Sequence, residues 1–238
     1  QIREAAVANK GKSLEEVNAL PMGDGTVADA VTARSGITGE KMELDGYSYI
    51  EGDNICTYNH MNRNGLCTLV QTNKPAAEQA HAICMQVAAM KPIALDEKSV
   101  PQAVVDEEYN VAVEKSKQEQ IQKAVEAALK KAGINPAHVD SEDHMESNMT
   151  KGWITAEDVA KFREIKETVG AEATAKLNPT MIENIAKGRV AKFLKEVCLV
   201  NQEFQFGDEA KQNVAGYLKS QDKDLKIVAY KRFTLAAE

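Results

Sequence analysis

Apolar residues recur along the chain with two periods, and each switch between them marks a change of element. Ile2, Ala5, Ala6 and Val7 fall on one face of a helix already under way at Gln1 with no capping residue before it, so the natural start is expected upstream. Ser13 followed by Glu16 has capping-box form and predicts a short second helix that stops at Pro21. Thr26 predicts the cap of a third helix, with Val27, Ala30 and Val31 turned inward and Gly36 as its end. The period then shortens. Residues 42–50 predict a weak strand, and residues 55–61 and 66–72 predict two stronger ones. Between those two lies Asn62-Arg63-Asn64-Gly65, whose Asn-Gly step supplies positive φ angles, so the runs are expected to pair as an antiparallel hairpin.

Helical spacing returns at Ala80, Ile83, Cys84, Val87 and Ala88 and stops at Lys91-Pro92. From Pro101 to about Lys131 the chain has no further Gly or Pro, and Ile121, Val125, Ala128, Leu129 and Ala132 form a narrow apolar stripe. A stripe so narrow buries one seam, which predicts a long helix projecting as an arm. Its expected return partner starts at Asn178-Pro179 and carries Ile182, Ile185, Ala186, Val190 and Phe193 on one side. Between them, residues 133–152 read as a polar connection, followed by Trp153 and a helix capped by Thr155 with Asp158 three residues on. A short strand near 197–200, a helix over 211–218 and a strand over 225–235 close the chain. The expected fold class is α+β, with helices packed on small antiparallel sheets.

Composition narrows the function. With 238 residues the chain builds a core without staples, and four scattered cysteines with no CxxC pair read as reduced thiols rather than a zinc or redox motif. A net charge of -7 disfavours direct binding of nucleic acid, which needs clustered Lys and Arg. No apolar run approaches the roughly 20 residues that span a bilayer, so no membrane partner and a cytoplasmic location are expected.

Four short patterns invite chemistry. Gly23-Asp24-Gly25-Thr26-Val27-Ala28 fits G-x-G-x-x-A with Asp45 at the spacing of a ribose-binding acid, but a short amphipathic helix and Pro21 precede it where a buried parallel strand is required. A glycine-rich loop and helix cap is the expected reading, and saturable NAD binding is the observation against it. Gly11-Lys12-Ser13 matches only the tail of a phosphate loop, with Ala6 in place of the first glycine. His138, Asp140, Glu142, Asp143, His144 and Glu146 offer imidazole and carboxylate groups, yet lack the ligand order and glycine of a calcium loop, so a solvated acidic loop is expected. No G-x-S-x-G elbow or HExxH helix is present. No catalytic residue, cofactor or metal is expected, and an interaction protein is the default.

Longer runs carry a family resemblance. HAICMQVAAMKP at 81–92 and VVDEEY at 104–109 resemble the HIAM-IAA-KP and VV-KEY signatures of bacterial translation elongation factor Ts. Ile185-Ala-Lys-Gly-Arg189, Lys192-Phe193 and Glu196-Val197-Cys198-Leu199 resemble its IxxGRxxKFxxExxL segment. The resemblance includes the closing Lys231-Arg232-Phe233, and only about 122–176 is longer than in the best-known members. It implies two related core subdomains, the second interrupted by a coiled-coil insertion. Here that means residues 1–53 for the remainder of the first, 54–108 with 197–238 for the second, and 109–196 for the inserted helical hairpin.

The resemblance also implies guanine-nucleotide exchange. Such a factor binds the GTPase EF-Tu, disturbs its magnesium and phosphate site and lets GDP leave, without breaking a bond in the nucleotide. Three places are then expected to touch EF-Tu. Arg34, Ser35 and Gly36 align with a Lys-Ile-Gly helix end that meets the GTPase domain, Ser35 standing where an apolar residue is usual. His60 matches a Tyr-x-His on the hairpin, and Phe204, Gln205 and Phe206 match an apolar tip that meets the third domain of EF-Tu. Plain alternatives are a helix C-cap for Gly36, a half-buried strand histidine for His60 and inward packing for the phenylalanines. The family's N-terminal helical domain and its Thr-Asp-Phe-Val motif are expected before Gln1, which predicts weak binding or poor exchange by this stretch alone. A coiled-coil scaffold whose arm binds other proteins, without exchange activity, is the alternative function.

Overall fold

A computed structural model describes residues 1–206 and 211–235. The chain divides into two compact units, one made of Gln1–Asp96 with Val197–Glu238 and the other of Glu97–Glu196. In chain order the first unit opens with α1 (Ile2–Ala8), α2 (Leu14–Asn18), β1 (Pro21–Met22), β2 (Gly25–Thr26) and α3 (Val27–Thr38). It continues with β3 (Ile55–Asn59), β4 (Leu66–Thr72) and α4 (Ala77–Met90). The second unit supplies α5 (Gln102–Lys131), α6 (Glu142–Thr150) and α7 (Ala156–Ala175), and α8 (Pro179–Val197) leads back to α9 (Val214–Gln221) and β5 (Ile227–Thr234). The architecture is α+β, as the periodicity predicts.

The first unit is organised by a three-stranded antiparallel sheet in the order β3-β4-β5, with Cys56 opposite Val70 and Val70 opposite Tyr230. Alternation along β4 buries Thr68, Val70 and Thr72 on one face, where α4 packs with Ile83, Cys84 and Val87. Leu199, Phe204, Val214, Leu218, Leu225 and Ile227 complete this core. The buried Thr68 hydroxyl donates to the Cys84 carbonyl at 3.0 Å, so strand and helix are joined by a polar bond inside an apolar layer.

Burial makes two groups of this core hard to ionise. The Cys84 thiol is pushed from 9.0 up to about 12, first by burial and then by the Cys56 thiol. The Tyr230 phenol, which donates to the Pro92 carbonyl at 2.8 Å, is likewise pushed from 10.0 up to about 12 by burial and the nearby Cys198 thiol. Both bind their proton more tightly folded than unfolded, so their stabilisation is complete below the ordinary values and disappears as pH climbs toward 12. The urea midpoint of this unit is therefore expected to hold from pH 7 to about 9 and then to fall steadily. A midpoint flat to pH 11 contradicts this.

Several local signals hold. Ser13 and Thr26 each accept a hydrogen bond from a backbone N–H three residues on, and Thr26 with Asp29 forms a full capping box. Gly23 takes φ 64 in the turn between β1 and β2, so the glycine pair makes a tiny antiparallel hairpin and a helix cap rather than a dinucleotide loop.

Other expectations need correction. Gly36 does not end α3; the helix runs on to Thr38, and Gly39 takes the left-handed cap position with φ 73. Residues 42–50 form no strand, because side chains rather than a ladder hold them: Ser35 Oγ accepts the Met42 N–H at 2.8 Å, and the Tyr47 hydroxyl donates to the Gly11 carbonyl at 2.9 Å. The turn after β3 is wider than an Asn-Gly turn. Met61, Asn62 and Asn64 take the positive φ values there, and the Asn59 side chain braces the turn by accepting the Asn64 N–H at 3.0 Å. The strand expected near 197–200 reduces to a single bridge between Ala94 and Cys198 followed by a 3-10 turn, Leu199–Asn201.

In the second unit the C-terminal half of α5 packs against α7, and Gly170 faces Ile121. Val159, Phe162, Ile165 and Val169 of α7 meet the Val125 and Leu129 stripe, which corrects the expectation that α8 is the partner of that stripe. Helix α8 instead faces the N-terminal half of α5 across a groove of about 440 Å³ lined by Val111, Ala112 and Phe193, while Arg189 pairs with Glu119 at 2.6 Å. Residues 133–152 are not a solvated loop. A 3-10 turn and α6 fold there, and Ile134, Val139, Met145 and Ile154 join Val125 and Leu129 in a second core. Their spacing, five or more residues apart, follows neither the helical nor the strand period, so periodicity misses them.

Candidate functional site

The three predicted places all belong to the first unit, and none shares a hydrogen bond or ring contact with another among the described residues. They are separate points of surface. Arg34 is exposed on the last turns of α3, beside a cleft of about 640 Å³ walled by Ile2, Met22, Ala30, Val31, Met42 and Leu44. Ser35 is half-buried and spends its hydroxyl on the 42–50 segment, so it fixes the backbone beside Arg34. Gly36 is exposed with nothing within 4 Å of where a Cβ would stand, and the next residue, Ile37, is 75% exposed.

His60 lies just past β3, in the 3-10 turn His60–Asn62, and is exposed. Its Nδ1 is 2.9 Å from the Tyr58 hydroxyl, and the Tyr58 ring meets His81 of α4 edge-on with centroids 5.6 Å apart. The imidazole is therefore held in place on one side and open on the other, next to exposed Met61. Reading residues singly finds His60 but misses Tyr58 and His81, although all three stand in the runs already singled out.

The two phenylalanines part company. Phe204 is 8% exposed and stacks on Tyr217 with ring centroids 3.9 Å apart, so it belongs to the core. Phe206 is 42% exposed and leans edge-on against Phe204 at 6.4 Å. Gln205 is exposed, its main chain bonded inward to Gln86 Oε1 at 3.0 Å. Gln86 and Gln202 are the partners that sequence reading misses. The available signal is an amide inside the apolar repeat of α4, between Ile83, Cys84 and Val87.

The acidic side chains are exposed as expected, but Glu142, Asp143, His144 and Glu146 stand on a helix rather than in a loop. Ser141 caps α6, and His144 Nδ1 lies 2.5 Å from Asp140. Among the described residues no three His, Cys, Asp or Glu side chains converge, and no helix is long and apolar enough to cross a membrane.

Arg34, His60 and Phe206 are exposed at separate points of the first unit, an arrangement of the kind that protein partners contact. The family described as Elongation factor TS matches residues 1–133 and 118–237. Elongation factor Ts of Bacteroides fragilis is 67% identical over the whole chain, which spans 72% of that protein. The Parabacteroides distasonis protein of the same name is 63% identical over 237 residues, with 71% of its length covered, and that of Porphyromonas gingivalis is 31% identical with 66% covered. The chain belongs to the elongation factor Ts family of translation factors.

Proposed function

We propose that the chain binds the GTPase EF-Tu in the cytoplasm and promotes release of its GDP, acting by association without breaking a bond in the nucleotide. The observation that carries this reading is membership of the elongation factor Ts family along the whole chain. Arg34 with the braced end of α3, His60 and Phe206 are the contact points, and Phe204 supports Phe206 from within. Residues 1–53 form the remainder of one core subdomain, 54–108 with 197–238 a related second one, and 109–196 an inserted coiled-coil arm. Exchange then follows from linkage: a factor that weakens GDP binding by some ratio has its own affinity weakened by GDP in the same ratio.

Release of fluorescent GDP from EF-Tu tests this. The rate is expected to rise with added chain and to saturate below the rate a full-length elongation factor Ts reaches, and calorimetry is expected to show tighter binding to nucleotide-free EF-Tu than to its GDP form. Equal affinity for both forms, with unchanged release, sinks the proposal. Binding lost only when the arm is deleted, again with unchanged release, points instead to a scaffold.

A further inference from the structure

Gln86 has no business in an apolar layer unless its amide is used. It is fully buried at 0% exposure, on the face of α4 that carries Ile83 and Val87, and Gln202 beside it is buried as well. Each polar atom has work. Gln86 Oε1 accepts the Gln205 N–H at 3.0 Å, while Nε2 donates to the Glu203 carbonyl at 3.1 Å and to Gln202 Oε1 at 3.3 Å. Gln202 Nε2 in turn donates to the Met90 carbonyl at 3.1 Å, at the end of the same helix. One side chain thus grips the main chain immediately before and immediately after Phe204, as a neighbouring strand grips a ladder.

The grip fixes more than Phe204. Packing against Tyr217 and a backbone bridge, with the Phe204 N–H donating to the Gln212 carbonyl at 2.8 Å, hold Phe204 itself, but neither reaches the next peptide. The bond to the Gln205 N–H does, because it fixes the peptide that launches Phe206 toward solvent. An apolar residue of the same size fills the space equally well but leaves the Gln205 N–H unsatisfied, while the Glu203 carbonyl keeps its bond from Gln205 Nε2 at 3.0 Å.

We infer that Gln86 is a positioning residue, whose buried amide locks the 203–206 loop so that Phe206 is presented, preordered, to an apolar pocket on the GTPase partner. The inference rests on the function proposed above. Preordering lowers the entropy lost when the ring docks, so its removal weakens binding without removing any contacting atom.

The test measures two things on the full chain. Amide hydrogen exchange at Gln205 is expected to be slow in the native sequence and more than about tenfold faster in Gln86→Met, with the amides of α4 unchanged. Calorimetric Kd values for nucleotide-free EF-Tu are expected to rise about tenfold in Gln86→Met and at least as much in Phe206→Ala, the double variant matching Phe206→Ala alone. Should the methionine variant fail to fold, Gln86→Leu carries the same comparisons. A Gln86 effect that persists undiminished without Phe206, or Gln205 exchange that does not change, overturns the inference. If Phe206→Ala leaves Kd unchanged, the contact role proposed for the loop fails and the partner half fails with it. The exchange measurement still decides whether Gln86 holds the loop.

Discussion

Leu129→Ala melts the helical tip of the second unit and leaves the first unit standing. Leu129 is buried among Val125, Ile134, Val139, Met145 and Ile154, and none of these residues belongs to the core around Val70 and Ile83. Truncating a buried leucine costs about 2–5 kcal/mol, and in a core this small that is a large part of the available stability. The chain carries its own reporters. Its one tryptophan, Trp153, lies in the second unit and its four cysteines lie in the first. The thermal transition seen by Trp153 fluorescence is expected to drop by about 10–20 °C. Exposure of the buried thiols Cys84 and Cys198 to a thiol reagent keeps its native temperature dependence. A joint shift of both signals means that the two cores unfold as one and the expectation fails.

Ile83→Ala gives the converse result. Ile83 is fully buried at the centre of α4, next to Cys84 and over Val70 of the middle strand. Loss of its side chain removes apolar area worth roughly 2–3 kcal/mol and adds a cavity term, for a total of about 3–4 kcal/mol. Cys84 and Cys198 are expected to react with a thiol reagent at temperatures where the native chain is inert, while Trp153 emission is unmoved. The α4 layer also holds Gln86, so under the function proposed above this variant is expected to lose EF-Tu binding before the second unit unfolds. A variant whose thiols stay protected up to the native midpoint contradicts the placement of Ile83 in this core.

Much of the fold is legible because the same residues state it twice. Thr26 and Thr155 announce their helices through hydroxyl and carboxylate partners three residues apart, and both capping boxes form. Residues 66–72 alternate cleanly, and β4 buries every second side chain as that alternation requires. What is not legible depends on contacts distant in sequence. The 42–50 stretch has strand-like periodicity, but a strand exists only where a neighbour supplies a ladder, and here Ser35 and Tyr47 supply isolated bonds instead. The polar run 133–152 hides three core positions, because Ile134 and Val139 flank a short turn and Met145 stands on a short helix, each contributing a single residue to a shared centre.

The surface points were legible only in part. His60 is exposed and Phe206 stands out to solvent, while Phe204 of the same tripeptide lies in the core, a difference that the order Phe-Gln-Phe does not reveal. Gln86 was open to view as an amide in an apolar repeat, but its meaning depends on a loop more than a hundred residues later. Periodicity tells which face of α4 is inside; it does not tell which inside residue reaches across.

The stretch from Lys41 to Ile50 is moored to the rest of its unit through a serine hydroxyl and a tyrosine hydroxyl rather than woven into a sheet. Two moorings detach one at a time, whereas a ladder lets go all together, so amide exchange in this segment is expected to be faster than in β3, β4 and β5. Arg34 sits beside the first mooring. The end of α3 keeps its own helical bonds, so Arg34 stands on a firm support beside a loosely tied neighbour.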